Sequence, residues 1–291
     1  MRIGIATRNP KAWCSSRLRE AFNNAGAEVA CIDIRRVVAR IGLPLTVSQA
    51  DLDLACLDAL LIRPIGRGSL DEIIVELDIL HTLARTGLLL INNPSTIEKT
   101  VDKYRALTLL AADGIPVPRT VVTQSVREAL KEFHTLGGDV VVKPVFGSRG
   151  IGVCRVSDPD IAERILRTIR FHRHVLYLQE YLEHGTADVR AFVVGDTVVA
   201  SMRRRSTTWK TNISRGASAS PLAGTPEINQ LAIRAARVLG CSVAGVDILQ
   251  TDSGLCVNEV NSQPGWRGLQ SVTKVDIARE IADFVISEAR N

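Results

Sequence analysis

Short apolar runs alternate with amphipathic stretches from the first residues onward, and this alternation restricts the folds open to the chain more than any other feature. Residues 2–6 and 28–34 read as strands, and between them residues 15–25 place Leu18 and Phe22 four apart, on one face of a helix. Residues 59–62 and 88–91 repeat the strand pattern on either side of a helix-periodic segment, 70–84. Strand and helix taken in turn predict a parallel sheet with helices on both faces, spanning residues 1–95.

Asn92-Asn93-Pro94-Ser95 reads as a turn and helix start, and residues 96–112 as one helix that stops at Gly114. The pattern then becomes strand 119–123, helix 125–136, strand 140–143, a glycine-rich turn, strand 152–156, helix 158–171 and strand 176–182. Beyond Gly185 come strands 188–194 and 197–202, joined at Gly195-Asp196 as a hairpin. A helix at 226–239, strands at 242–250 and 254–261 and a closing helix at 275–289 complete the chain. Three units are therefore expected, 1–95, 96–183 and 184–291.

A chain of 291 residues that is 46% hydrophobic can bury more than one core, which agrees with that division. Its net charge of +5 is spread out, only Arg203-Arg204-Arg205 forms a run, and aromatics, at 4%, are not interleaved with it. That pattern suits small anionic substrates better than nucleic acid. Six cysteines are scattered without a Cys-x-x-Cys pair, so reduced thiols are expected and a zinc site or disulfide is not. The first residues lack the apolar core of a signal peptide and no eighteen-residue apolar run occurs, so a cytoplasmic chain without a membrane partner is expected.

Candidate chemistry concentrates at the end of the strand region 254–261. Glu259 and Asn261 are two apart, which on a strand directs both to one face, and Asp247 on the neighbouring strand can join them. Oxygen ligands of this kind suit magnesium. Read alone, the same residues serve equally as a strand pair closing on the Pro264-Gly265 turn. Lys143 ends the apolar run Val140-Val141-Val142 and is followed by Gly147-Ser148-Arg149-Gly150-Ile151-Gly152. Glycines at that density let backbone amides approach phosphate oxygens, although no Gly-Lys-Ser/Thr closes the loop as in a P-loop. Separately these are a solvent-directed lysine and a structural turn; together they describe a lid over a triphosphate.

Asp102-Lys103-Tyr104-Arg105, the Lys143 strand with its glycine turn, Gln179-Glu180-Tyr181-Leu182, and Asp247 with Glu259 and Asn261 follow one another in the order found in the ATP-grasp superfamily. Asp188-Val189-Arg190, Arg203-Arg204-Arg205, Thr211-Asn212-Ile213-Ser214-Arg215-Gly216 and Glu259 through Gly265 make the chain resemble RimK-like amino-acid (alpha-L-glutamate) ligases over essentially its whole length. The Pro264-Gly265-Trp266-Arg267-Gly268-Leu269 run is similar to the tetrahydromethanopterin:glutamate ligase branch. This resemblance implies an α/β ATP-grasp fold, with an amino-terminal parallel-sheet lobe on the substrate side and two α+β lobes enclosing ATP. It also implies a homo-oligomer, dimer or tetramer.

Carried over residue by residue, the resemblance implies that Lys103, Lys143 and the loop residues Gly147, Ser148, Arg149 and Gly150 hold ATP phosphates. Gln179, Glu180, Tyr181 and Leu182 would hold adenine, and Asp188 the ribose. Asp247, Glu259 and Asn261 would bind magnesium, as two ions, or manganese in its place. Arg190, Arg204, Asn212 and Arg215 would face the transferred phosphoryl group and the reacting carboxylate, where fixed cations stabilise developing charge. The chain departs from the family at Arg215-Gly216-Ala217, where a second glycine is usual, and in a short stretch between Arg205 and Trp209.

The implied reaction joins a carboxylate acceptor to an amine, glutamate above all, with release of ADP and phosphate. A glutamate ligase modifying a protein carboxyl terminus, as with a ribosomal protein, an amino-acid-biosynthesis carrier ligase, a small-molecule kinase on the same scaffold, an adenylating enzyme and a nucleic-acid binder remain open alternatives. Trp13, Trp209 and Trp266 all fall near predicted strand ends and are expected in loops, either as hydrophobic plugs or as rings stacked on a flat acceptor such as a pterin. Arg63, Arg67 and Gly68 form another loop able to hold carboxylates. None of the five histidines falls in a matched motif.

Overall fold

A computed structural model describes residues 1–42, 45–147, 150–213 and 216–290. The parallel sheet expected at the start is present: β1 (Arg2–Ala6), β2 (Glu28–Ile32), β6 (Ala59–Ile62) and β7 (Leu89–Ile91) lie in the order β2-β1-β6-β7. α1 (Trp13–Asn24) joins β1 to β2. α2 (Leu70–Arg85) precedes β7 and begins with a capping box, in which Ser69 and Glu72 satisfy each other's backbone amides. Between β2 and β6 the chain makes a small antiparallel sheet, β3 (Val38–Arg40), β4 (Thr46–Gln49) and β5 (Leu52–Asp53), that the sequence pattern did not announce. β3 is exposed throughout, so no buried face imposes an alternation to read.

The helix expected over 96–112 is two helices, α3 (Pro94–Val101) and α4 (Lys103–Ala112). Asp102 breaks it. Its carboxylate accepts from the amides of Tyr104 and Arg105, capping α4 and leaving Lys103 as the first residue of the new helix. Asn92, expected in a turn, is buried. Its side-chain amide donates to the carbonyls of Val243 and Ser262 at 2.7 and 2.5 Å and accepts from the amides of Ser242 and Val243. One asparagine thus ties the edge of the first sheet to strands 150 residues and more away in sequence.

A second, antiparallel sheet has the order β10-β9-β11-β8, from β8 (Thr120–Thr123), β9 (Val140–Val142), β10 (Cys154–Val156) and β11 (Leu176–Glu180). α5 (Val126–Thr135) and α6 (Pro159–Phe171) bury Phe133 and Leu166 in a core with Val140, Val142, Leu176 and Leu178. The third sheet has the order β14-β13-β12-β15-β16 and is antiparallel: β12 (Ala187–Val194), β13 (Thr197–Arg205), β14 (Ser218–Pro221), β15 (Val243–Thr251) and β16 (Gly254–Asn261). α7 (Pro226–Leu239) covers one face of this sheet, burying Ile228, Ala232, Ala235 and Leu239.

Two elements close the structure, α8 (Arg267–Gln270) and α9 (Ile277–Glu288). α9 packs against α1, so Leu18 and Phe22 share a core with Ile277, Ile281 and Val285. Phe192 of β12 and Trp266 enter the same core, which therefore fastens the first sheet to the third. Trp266 is 1% exposed and edge-on to Trp13, itself the first residue of α1. These two tryptophans are packing elements; only Trp209 borders the cleft described next. Among the described residues no helix is long and apolar enough to cross a membrane, and all six cysteines are unpaired.

Candidate active site

The second and third sheets face each other across an open cleft lined by charged, polar and apolar side chains. α4 brings Lys103 to its rim because the Asp102 cap starts the helix there. β9 ends at Val142 and delivers Lys143, and β11 delivers Gln179 through Leu182. Asp188, Arg204, Asn212, Asp247 and Glu259 enter from the third sheet and its loops, and Gly147 and Gly150 from the glycine-rich turn. Ser148, Arg149 and Arg215 lie outside the described residues. Arg190 and Asn261 stand beside the cleft without lining it.

Lys143 is the cation at the centre of the floor. Its ammonium donates to Gln179 Oε1 at 2.5 Å and to Asn258 Oδ1 at 3.1 Å. Gln179 is in turn fixed by donating to Thr120 Oγ1 at 2.9 Å. Burial pushes the Lys143 ammonium down to about 8, against the opposing pull of Glu259. Burial also lowers Lys103, whose ammonium donates to the carbonyls of Gly147 at 2.7 Å and Val145 at 3.3 Å. Lys210 donates to the carbonyl of Val153 at 2.7 Å, so lysines from two directions grip the glycine-rich turn by its backbone.

The titration of Lys143 has a measurable consequence. With its pKa lowered to about 8, Lys143 loses charge as pH rises past that value, and a phosphate held against it, the role the resemblance implies, would favour the charged form. Affinity for ATP is therefore expected to fall as pH rises past about 8, by up to roughly tenfold per pH unit until the raised pKa of the complex is reached. Calorimetric titration with ATP across that range, with proton uptake read from buffers of different ionisation enthalpy, checks this. A flat affinity and no proton uptake contradict it.

Gln179 and Glu180, expected at adenine, use their side chains within the protein. The Glu180 carboxylate accepts from the backbone amide and Nε of Arg119 at 2.7 and 2.5 Å. The backbone amide of Leu182, by contrast, makes no hydrogen bond among the described residues, and Leu182 lines the cleft along with the apolar Val141, Ile151 and Leu249. A free edge donor beside apolar walls is the arrangement a purine needs. Tyr181 lies under the Arg155 guanidinium, 3.4 Å from ring centroid to Cζ, and edge-on to Trp209.

Asp188, Arg204 and Asp247 form one buried network, each 3–4% exposed. Arg204 makes a two-pronged contact with Asp188, Nε to Oδ1 at 2.7 Å and Nη2 to Oδ2 at 2.5 Å, and reaches Asp247 Oδ1 at 2.9 Å. Thr211 donates to Asp188 Oδ2 at 2.6 Å. Asp188, expected at the ribose, is here the anchor of Arg204. Arg190 also pairs with Asp247, Nη2 to Oδ2 at 2.9 Å and Nε to Oδ1, the oxygen that Arg204 reaches. Burial works against the Arg204 charge, yet Asp247 and Asp188 outweigh it and raise its pKa. Strand alternation on β13 explains why only the middle arginine of the run turns inward.

Glu259 is different. It stands opposite Asp247 in the β15–β16 register, lines the cleft half-buried, and has no hydrogen bond or ion pair among the described residues. The register slips next to this pair, Asp247 facing Glu259 while Ile248 faces Val257, so Asn258 is an extra residue in a bulge. The bulge turns two successive side chains, Asn258 and Glu259, into the cleft, and Val257 and Val260 stay in the core. Strand periodicity conceals Asn258. Lys210, beside the matched Thr211-Asn212, and His184, near the start of β12, also line the cleft outside the motifs singled out above.

Residues 100–285 match the RimK-like ATP-grasp domain. The tetrahydromethanopterin:alpha-L-glutamate ligase of Methanosarcina acetivorans is 32% identical over 319 residues, covering 98% of each chain. A probable alpha-L-glutamate ligase of Pseudomonas paraeruginosa is 37% identical over 290 residues, 98% of this chain and 95% of that one. The ATP-grasp ligase PsnB, solved with a minimal precursor, Mg and ADP, aligns with a TM-score of 0.76 at 21% identity over 100% of this chain and 98% of its own, which establishes the ATP-grasp fold.

Proposed function

The chain belongs to the RimK-like ATP-grasp family and is an ATP-dependent ligase, and from that premise we propose that it joins L-glutamate to a carboxylate of a small-molecule acceptor through an acylphosphate. The observation that carries the reading is Glu259: a half-buried carboxylate opposite Asp247 that lines the cleft and, unlike Glu180, Asp188 and Asp247, has no hydrogen bond or ion pair among the described residues. An acid without such a partner is suited to a cationic ligand. Asp247, Glu259 and Asn261 would supply oxygen donors of the kind magnesium takes; Glu259 is the one open to the cleft, Asp247 being paired with Arg190 and Arg204 and Asn261 standing beside the cleft. When bound, magnesium supplies charge neutralisation on the nucleotide phosphates.

In this proposal the purine lies against Val141, Ile151 and Leu249 with its edge toward the free Leu182 amide. Lys143, already oriented by Gln179 and Asn258, meets the phosphates, and Lys103 exchanges turn carbonyls for phosphate oxygens. The acceptor carboxylate attacks the γ-phosphorus, the bond to the bridging oxygen breaks, and ADP leaves with that electron pair. The deprotonated amine of glutamate then attacks the acyl carbon, phosphate departs, and an amide remains. Arg190, held by Asp247 beside the cleft, is the cation this proposal assigns to that centre. The Methanosarcina relative acts on tetrahydromethanopterin, which supports a pterin-type acceptor, and the half-exposed Trp209 ring at the cleft offers it a stacking face. Six free thiols and the use of ATP support a cytoplasmic setting.

The test is release of ADP and phosphate with L-glutamate as amine against pterin glutamates and peptide carboxyl termini, with products identified by mass. Amine-dependent ADP release with an acceptor enlarged by glutamate is expected. AMP and pyrophosphate would sink the acylphosphate, and a stable phosphorylated acceptor formed without amine would mark a kinase.

A further inference from the structure

The first sheet contains a second constellation that the nucleotide cleft does not use. Its order β2-β1-β6-β7 reverses direction between β1 and β6, the topological switch point outside whose carboxyl ends open α/β sheets bind ligands. The loop after β6 begins with Arg63, whose amide donates to Ala6 of β1 at 2.9 Å. Arg63 is 8% exposed, yet no carboxylate pairs with it among the described residues. Its guanidinium donates to the carbonyl of Pro264 at 2.9 Å and stands 4.8 Å from the Trp266 ring centroid. The Trp266 indole N–H, also buried, has no acceptor among the described residues. A buried guanidinium that lacks an anion is costly to maintain. Burial accordingly lowers its pKa.

The neighbouring contacts fix the walls of this crevice. Arg8, at the end of β1, donates to the carbonyl of Arg67 at 2.7 Å and pairs with Glu76 at 2.8 Å, stitching the loop after β1 to the loop after β6. Gly66 turns at φ +89, and a side chain there would strike the Arg8 guanidinium. Pro264, which Arg63 holds, packs against Gly245, and so does Arg190. Arg190, paired with Asp247, and Pro264, held by Arg63, thus meet at the same glycine, Gly245.

From this geometry we infer that the crevice between β1 and β6, with Arg63 as its counter-ion, binds a substrate carboxylate that takes no part in bond formation. The inference rests on the ligase reading above and adds where the second end of a substrate is held. That carboxylate belongs to the incoming amino acid or to the far end of the acceptor, and two probes separate these sources. L-Glutamate presents an amine, whereas N-acetyl-L-glutamate has its amine blocked and can enter only as an acceptor. Binding of each is measured by calorimetry to the protein loaded with ADP and magnesium, for the unaltered chain and for Arg63→Met.

Arg63→Met is expected to weaken one of the two probes by about 10- to 100-fold, the range of a charge-assisted hydrogen bond, while ADP binds as before. Arg63→Lys keeps a cation without the planar fork, and is the variant to use if the methionine does not fold; about tenfold weakening of the same probe is expected. Binding of both probes undiminished in a folded variant overturns the assignment of Arg63 alone. Binding of neither probe to the unaltered chain, with ADP still bound, overturns the glutamate reading and the assignment with it.

Discussion

Replacement of Glu259 with Gln is expected to slow turnover by about a thousandfold, equivalent to roughly 4 kcal/mol of transition-state stabilisation, without unfolding the protein. The side chain keeps its size and one carbonyl oxygen but loses the charge that a hard cation requires. Folding is insulated because Glu259 makes no hydrogen bond or ion pair among the described residues, so no partner is left stranded. Removal of a free acid from beside Lys103 and Lys143 also takes away the group that supports their charge. Steady-state ADP release checks the rate, and a magnesium titration checks the cause: the half-saturating concentration is expected to rise. A variant that turns over within about threefold of the unaltered chain refutes a metal role for Glu259.

Arg204→Met is expected to act on stability as well as on turnover. Asp188 and Asp247 are each 3% exposed, and Arg204 bridges them. A methionine of similar reach fills the space but, among the described residues, leaves Asp188 with the Thr211 hydroxyl and Asp247 with Arg190. Removal of one partner from a buried ion pair costs about 3–5 kcal/mol, because the remaining charge stays out of water. Urea unfolding should show a lower midpoint at unchanged slope, the product of the two falling by that amount. Asp188→Asn added to the methionine variant removes the stranded charge and should recover part of the loss, which a lost packing contact would not. A single variant that unfolds at the same urea concentration as the unaltered chain refutes the network.

Much of this architecture was legible because burial imposes a period on sequence. Residues 59–62 and 254–261 were bounded correctly as strands and 226–239 as a helix, since each carries apolar residues on the side that meets a core. The sheet β3-β4-β5 was not legible, because β3 and much of β4 are polar or exposed. The break at Asp102 was written in the residue but hidden by helical periodicity on both sides; the cap, not the pattern, ends α3. Trp266 shows the limit in the other direction. A tryptophan after a Pro-Gly turn reads as a loop residue, and only the tertiary fold reveals that α1 and β12 close over it.

The site divides in the same way. Lys143, Gly147, Glu259 and Asn212 carried sequence signals and converge on the cleft. Asn258 carried none, because a bulge is a property of two paired strands and cannot be read from one. Gln179, Glu180 and Asp188 also carried signals and line the cleft; the sequence did not show that their side chains contact Lys143, Arg119 and Arg204.

The packing of α9 against α1 bears on how the chain emerges during synthesis. Leu18 and Phe22 find part of their core in Ile277, Ile281 and Val285, made more than 250 residues later. At synthesis rates of about 5–20 residues per second, the apolar face of the first helix waits roughly ten to fifty seconds for its cover. Newborn chains would then carry an uncovered patch at the end that leaves the ribosome first, an exposure that a chaperone rather than faster local folding is suited to shield.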